Sequence, residues 1–356
     1  MIRAIISTLL SVIMAGAGYF GFNPDQTKSL KSVTKVEEDF YVMDYTYDYD
    51  IDEIIRTGFN THVGLVTGAF SKLMSGAFGM GFGCTTFNSV TPQGDYLLSR
   101  NFDYMDAPYL MLWTHPENGY ASISSCSLEF CGYFGKFRPD SYASSFLTLL
   151  APYTCLDGIN EKGLSIGVLE VEVSPVFQIS LKPNLTTTTM VRACLDKAAT
   201  VDEAIEIFKS HDMRDFLFSD CSYHYQLADA KGNTCVIEYI DGKMTVLRPE
   251  NKGAVKYMAA TNFILTEGVY DPDGMGQDRY ETVLNSLKKT KAVTSEKQAM
   301  NILKATSMKD QELHGYICST LWSVVYNCND KTAKVCHNGN FNKTYSVSLA
   351  NPCNVK

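Results

Sequence analysis

The sequence predicts an α+β fold, and three observations carry that reading. A strand–turn–strand pattern runs over 85–98, where β-prone Thr85, Thr86 and Phe87 and the run Tyr96, Leu97, Leu98 flank the turn signal Pro92-Gln93-Gly94-Asp95. Two helical patterns over 189–211 precede β-like runs at 223–228, 235–240 and 244–247. Two more β-like runs, 318–327 and 333–337, lie near the C-terminal end. Blocks of strands and helices in this order suit layered sheets with helices packed on them.

The elements justify themselves in order. Residues 1–22 read MIRAIISTLLSVIMAGAGYFGF: one arginine, an uncharged apolar run of about 19 residues, and Ala15-Gly16-Ala17 as a small-residue cleavage site. This is a signal peptide or a membrane anchor, so a secreted protein, or one anchored on the extracytoplasmic side of a membrane, is expected. Residues 23–53 are polar, acidic and tyrosine-rich and read as a solvated linker or pro-segment. Over 54–80 the apolar residues fall at mixed helical spacing, enough for one or two helices. Short β-like runs over 109–134 hold Cys126 and Cys131, read as buried thiols ahead of a disulfide or metal pair. The 157–163 stretch DGINEKG is a turn, followed by a strand over 165–173. Helices are expected over 189–199 and 200–211, the second opened by a Thr200-to-Glu203 capping box. Asp241-Gly242 marks a hairpin. A helix opens at Gln277, and Ser295 with Gln298 caps another. Asn184 and Asn342 begin glycosylation sequons.

Composition bounds the function. The chain has 356 residues, 45% of them hydrophobic, which is ample for a core. A net charge of −8 without a basic cluster argues against a nucleic-acid partner. All eleven cysteines fall at or after residue 84, and no CxxC pair exists, so a zinc ribbon is not expected. The histidines have no partner motif, which leaves a Cys-His dyad unsupported. The sequence leaves the oligomeric state, a homo-oligomer included, open.

The chemistry centres on GFGCTTF, residues 81–87. A thiol attacks acyl groups only as the thiolate, and so needs a base or a cation nearby. Breaking the Gly83–Cys84 bond would give Cys84 its own α-amine, which titrates near pH ~8. Two strands joined by a short turn would return Arg100 and Asp103 to the side of Cys84, the arginine for the thiolate and the aspartate for the new amine.

CTTF, with SRNFDY placing Arg100 sixteen and Asp103 nineteen residues after Cys84, resembles the choloylglycine hydrolase and penicillin V acylase family. These are linear-amide C–N hydrolases of the N-terminal-nucleophile class. The chain also resembles the related acid-ceramidase-like and isopenicillin-N acyltransferase-like amidases, which carry a pro-segment before the cysteine. The resemblance covers 84 to about 350 and implies a four-layer αββα sandwich of two antiparallel sheets. It implies a leader at 1–22, a pro-segment or linker at 23–83 and a catalytic domain at 84–356, with autocleavage between Gly83 and Cys84. It assigns oxyanion donors to Asn160, in its Gly-x-Asn-Glu-Lys-Gly-Leu pattern, and to Asn262, in its Thr-Asn pair, and directs Arg279 at the active site. The substrate class it implies is a small N-acyl amide, with no metal and no organic cofactor. The long N-terminal segment departs from simple bile-salt hydrolases and moves the expected substrate toward other N-acyl amides. Three alternatives stand beside this reading: an acyltransferase on the same fold, a Cys-His hydrolase, and a non-catalytic, membrane-anchored surface protein.

Overall fold

The computed structural model describes residues 22–58, 83–215, 221–313 and 315–356. The expected leader at 1–22 lies outside these but for Phe22, as does most of the helical segment expected at 54–80.

From the N-terminal side run α1 (Pro24–Ser32), β1 (Thr34–Glu37), β2 (Phe40–Tyr45) and α2 (Ile51–Thr57). The hairpin β3 (Gly83–Val90) and β4 (Tyr96–Tyr104) comes next, then β5 (Tyr109–Thr114), β6 (Ser122–Ser127), β7 (Cys155–Asn160) and β8 (Ser165–Val171). A short β9 (Asn184–Leu185) leads into α3 (Thr187–Lys197) and α4 (Val201–Ser210), and β10 (Asp212–Met213) pairs back onto β9. Then follow β11 (Ser222–Ala228), β12 (Thr234–Ile240), β13 (Lys243–Leu247) and β14 (Ala259–Ala260). The chain continues through α5 (Gln277–Thr290), α6 (Glu296–Ala305), β15 (Gln311–Leu313), β16 (Tyr316–Asn327), β17 (Thr332–His337) and β18 (Thr344–Ser348).

Among the described residues β9 and β10 form a small parallel pair, and the other strands form two stacked sheets. One has nine strands in the order β1-β2-β5-β6-β7-β8-β11-β12-β13, and the other runs β14-β3-β4-β16-β17-β18, with β15 on β16. Helix α3 packs on β7 and β8, outside the larger sheet, and α6 packs on β4 and β16, outside the smaller. This is the αββα sandwich. Phe102, Trp322, Ile166 and Val168 belong to the core cluster that joins the sheets, while Phe87, Val325, Leu287 and Leu303 belong to a second cluster under α5 and α6.

Local chemistry sets the elements. In α4, Val201, Ala204, Ile205 and Phe208 are buried, the spacing of one helix face. Thr200 Oγ1 accepts from Glu203 N, but the Glu203 carboxylate reaches Ala199 N rather than closing the expected box. The capping box at Ser295 and Gln298 forms fully. Asp241 and Gly242 both take positive φ, 50° and 72°, as a tight hairpin turn requires.

The two sheets are antiparallel as expected but for one pairing: β2 runs parallel to β5, because the chain leaves the larger sheet after β2, builds β3 and β4 in the other, and returns. One expectation is corrected: 23–53 is not solvated throughout. Phe40, Tyr41, Val42, Met43 and Tyr45 are buried as β2. Among them Phe40 stacks on Tyr109, and Tyr45 meets Tyr49 edge-on. The polar residues that made the stretch look solvated have partners instead. Asp39 pairs with Arg138, and Glu37 binds His337, Lys343 and Tyr345.

Candidate active site

The β3–β4 hairpin explains the sixteen-residue spacing. Its register sets Cys84 opposite Phe102 and Thr86 opposite Arg100. Cys84 and Arg100 are therefore diagonal neighbours on one face, within reach of a long side chain. Arg100 Nη2 lies 3.6 Å from Cys84 Sγ, and Nη1 donates to Leu156 O at 2.9 Å. Its Nε is 3.1 Å from Asp157 Oδ2.

Asp103 stands one register position on, opposite Gly83. Thr320 Oγ1 donates to its Oδ1, and Arg279 Nη1 lies 3.7 Å from its Oδ2. That Oδ2 is buried without a hydrogen bond among the described residues. Asn262 comes from the loop after β14 and is fixed by paired backbone bonds to Met275. Its Oδ1 accepts from Cys84 N at 2.7 Å and from Arg279 Nη2 at 2.9 Å, and its Nδ2 donates to Glu170 O at 3.0 Å. Arg279, in the first turn of α5, also donates to Cys84 O and, at 3.1 Å, to Thr85 Oγ1. Gly276 makes room for it: a Cβ there would stand 2.5 Å from Arg279 Nη2. Four elements thus deliver Cys84, Arg100, Asp103, Asn262 and Arg279 to one place.

Asn160 does not join them, and the oxyanion role expected of it is corrected. Its Nδ2 donates to Leu195 O at 2.8 Å and to Ala198 O at 2.7 Å, and its Oδ1 accepts from Lys162 N and Leu164 N. With its donors spent tying the turn to the end of α3, it has none left for an oxyanion. It also lies four residues beyond Leu156 on β7, about 13 Å along a strand.

Electrostatics divide the group. Burial pushes the Cys84 thiol up to about 11, against the opposing pull of Arg100 and Arg279. Burial also raises the Asp103 carboxyl, opposed by Arg279, the Thr320 hydroxyl and Arg100. With the chain continuous through Gly83, burial favours the neutral thiol at Cys84. A cavity beside Cys84 and Arg100 is walled by Phe102, Phe130, Leu156 and Val168, with Thr187, Thr188, Tyr223 and Glu170 completing it. Among the described residues no histidine lines it. Trp113 and Tyr133 belong to the core and donate to Ser348 O and Ser144 O. Cys126 and Cys131 are free buried thiols that meet Ala151 O and Thr154 Oγ1.

Sequence reasoning missed Asp157, Glu170 and Thr320. Glu170 and Asp157 had a readable signal: each is an acid in a strand whose neighbours are apolar and buried. Thr320 had none.

Comparison with known proteins follows from this geometry. The family model for acyl-coenzyme A:6-aminopenicillanic acid acyl-transferase matches residues 90–342, more than half of the chain. A penicillin V acylase from Pectobacterium atrosepticum is 31% identical over 195 residues, 50% of this chain and 49% of that protein, so the chain spans about half the length of this relative. Among solved structures, a variant of the conjugated bile acid hydrolase from Clostridium perfringens superposes with a TM-score of 0.54 at 16% identity, over 77% of this chain and 95% of that one. Penicillin V acylase from Agrobacterium tumefaciens gives 0.52 at 19% identity, over 71% and 83%. Both share the layered fold. With its hairpin, its two facing sheets and its family-model match in agreement, the chain belongs to the acyl-coenzyme A:6-aminopenicillanic acid acyl-transferase family.

Proposed function

We propose that this protein is a cysteine amidase that hydrolyses linear C–N bonds of N-acyl substrates after its chain is cut between Gly83 and Cys84. One observation carries the reading. Cys84 N is held by Asn262 Oδ1 at 2.7 Å, while Asp103 Oδ2 lies buried beside the preceding glycine without a hydrogen bond. A cut there creates an α-ammonium that fills this vacancy.

The chemistry runs in two stages. First the Cys84 thiol adds to the Gly83 carbonyl and the peptide nitrogen leaves as the α-amine. Water then hydrolyses the resulting thioester, freeing the thiol. In turnover the α-amine takes the proton from Sγ, and sulfur attacks the substrate carbonyl. We assign the oxyanion to the second N–H of Asn262 Nδ2, whose first goes to Glu170 O, a contribution of about 3 kcal/mol for one such donor. The substrate amine leaves with a proton from the α-ammonium, and water releases the acyl group. Arg100 faces the sulfur, and Arg279 fixes Asn262 and the Cys84 carbonyl. The apolar walls of the cavity suit an apolar acyl group.

The acyltransferase description of the matched family supports a second reading, in which an amine takes the acyl group in place of water. Residues 1–22 would direct export or anchor the chain in either case. Intact mass and N-terminal sequencing test the scheme. A fragment beginning at Cys84, with activity on an N-acyl amide panel that Cys84→Ala abolishes together with the cut, is the expected result. Full turnover by Cys84→Ala would overturn it. Products formed with added amines separate hydrolysis from transfer.

A further inference from the structure

Arg100 reaches Cys84 from a buried polar plug that the proposed mechanism does not use. Asp157, on the facing sheet, is fully buried, as is Arg100. Asp157 Oδ2 pairs with Arg100 Nε at 3.1 Å and accepts from Trp322 Nε1 at 3.0 Å. Its Oδ1 accepts from Tyr326 OH, which is itself 3.1 Å from Ser125 Oγ. Trp322 and Tyr326 flank Val324, the register partner of Arg100, so β16 presents one donor on either side of the arginine. The β8 backbone closes the remaining side: a Cβ on Gly167 would stand 3.2 Å from Arg100 Nη1. Nε meets Asp157 as an ion pair without hydrogen-bond geometry, Nη1 donates to Leu156 O, and Nη2 faces Sγ at 3.6 Å.

A fully buried ion pair is a poor stability device. Its desolvation cost often exceeds the gain from pairing, and apolar replacements are often neutral or better. Here the pair lies between the two sheets beside Phe102 and Trp322 of the apolar core, and its free end faces Cys84 Sγ.

We propose that Asp157 is a positioning residue for Cys84: it anchors Arg100 so that a single guanidinium nitrogen is held on the sulfur. The proposal rests on Cys84 being the nucleophile, but its test does not depend on turnover. Asp157→Asn keeps the shape and an acceptor for Trp322 while removing the counter-charge. The readout is the pH dependence of Cys84 alkylation by iodoacetamide in the full chain, followed by peptide mass.

The sign of the change decides. A positioning role predicts an upward shift of the alkylation midpoint, because the loosened guanidinium no longer stabilises the thiolate. A shift of one pH unit is a roughly tenfold lower alkylation rate at neutral pH. In an Arg100→Gln background the same substitution should change nothing further. A downward midpoint, as loss of a nearby negative charge alone would give, overturns the proposal. So does an unchanged midpoint, or a full additional effect in the Arg100→Gln background. Trp322→Phe, which removes one donor to Asp157 and keeps its charge, should move the midpoint the same way by less. It carries the test alone, with the same overturning outcomes, should Asp157→Asn fail to fold. Cys84→Ala retaining amidase turnover would overturn the nucleophile assignment instead, a result distinct from any of these.

Discussion

Gly83 has no side chain where its surroundings leave no room for one. A Cβ at this position would lie 2.3 Å from Met308 Sδ and 2.9 Å from the Asp103 Cβ and Oδ2. The methionine end can swing aside, but the aspartate Cβ is fixed by the β3–β4 pairing. The residue before Cys84 is therefore kept a glycine by sterics rather than by backbone angle. Gly83→Ala should fold with a displaced scissile bond and remain uncut. Its Cys84 should then alkylate with a midpoint near the value of about 11 that burial imposes, while the cut wild-type protein alkylates at lower pH. A pH series of iodoacetamide labelling on both proteins checks this. Equal midpoints would mean that the new amine does not act on the thiol.

At the scale of elements, β2 lies between β1 and β5 in the larger sheet, with its parallel partner on the far side of the proposed cut. The N-terminal piece is thus part of the sheet, and cutting at Gly83 should leave it bound. Native mass spectrometry of cut protein should show both fragments together. The anchor at the end of β1 gives the association a pH dependence. Burial opposes ionisation of Glu37, but hydrogen bonds from Lys343, Tyr345 and His337 outweigh it and hold the carboxyl at about 2, down from 4.5. A lowered pKa in the bound form stabilises above the ordinary value, and the contribution drains away as pH falls from 4.5 toward 2. Fragment release on acidification should begin in that window, and Glu37→Gln should lose this part of the pH dependence. The strand was hidden in the sequence because Glu37, Asp39 and the tyrosines read as solvent-facing, whereas the partners of Glu37, Asp39 and Tyr45 lie about 100 to 300 residues away. The β3–β4 hairpin was legible because its partners are local: turn chemistry and strand alternation suffice to put Cys84 beside Arg100.

For the whole molecule, the order of strand and helix blocks indicated α+β, and the family resemblance supplied the four layers. Asn262 and Arg279 were found through the resemblance, since nothing local marks a loop asparagine as the partner of a backbone nitrogen 178 residues earlier. Asn160 was misplaced for the complementary reason: its turn motif is a real structural signature, but the amide serves the end of α3. Asp157, Trp322 and Tyr326 meet only when the two sheets close, so no spacing rule reveals them. The interleaving of β2 beside β5 gives the proposed cut a consequence for assembly. While the chain is continuous, insertion of β2 is intramolecular, and refolding should be independent of protein concentration. Once the chain is cut, the same insertion becomes an encounter between two molecules. Recovery of denatured cut protein should therefore fall on dilution, while uncut Cys84→Ala recovers equally at every concentration. The cut would make the folded state a memory of how it was assembled, readily kept but not readily regained.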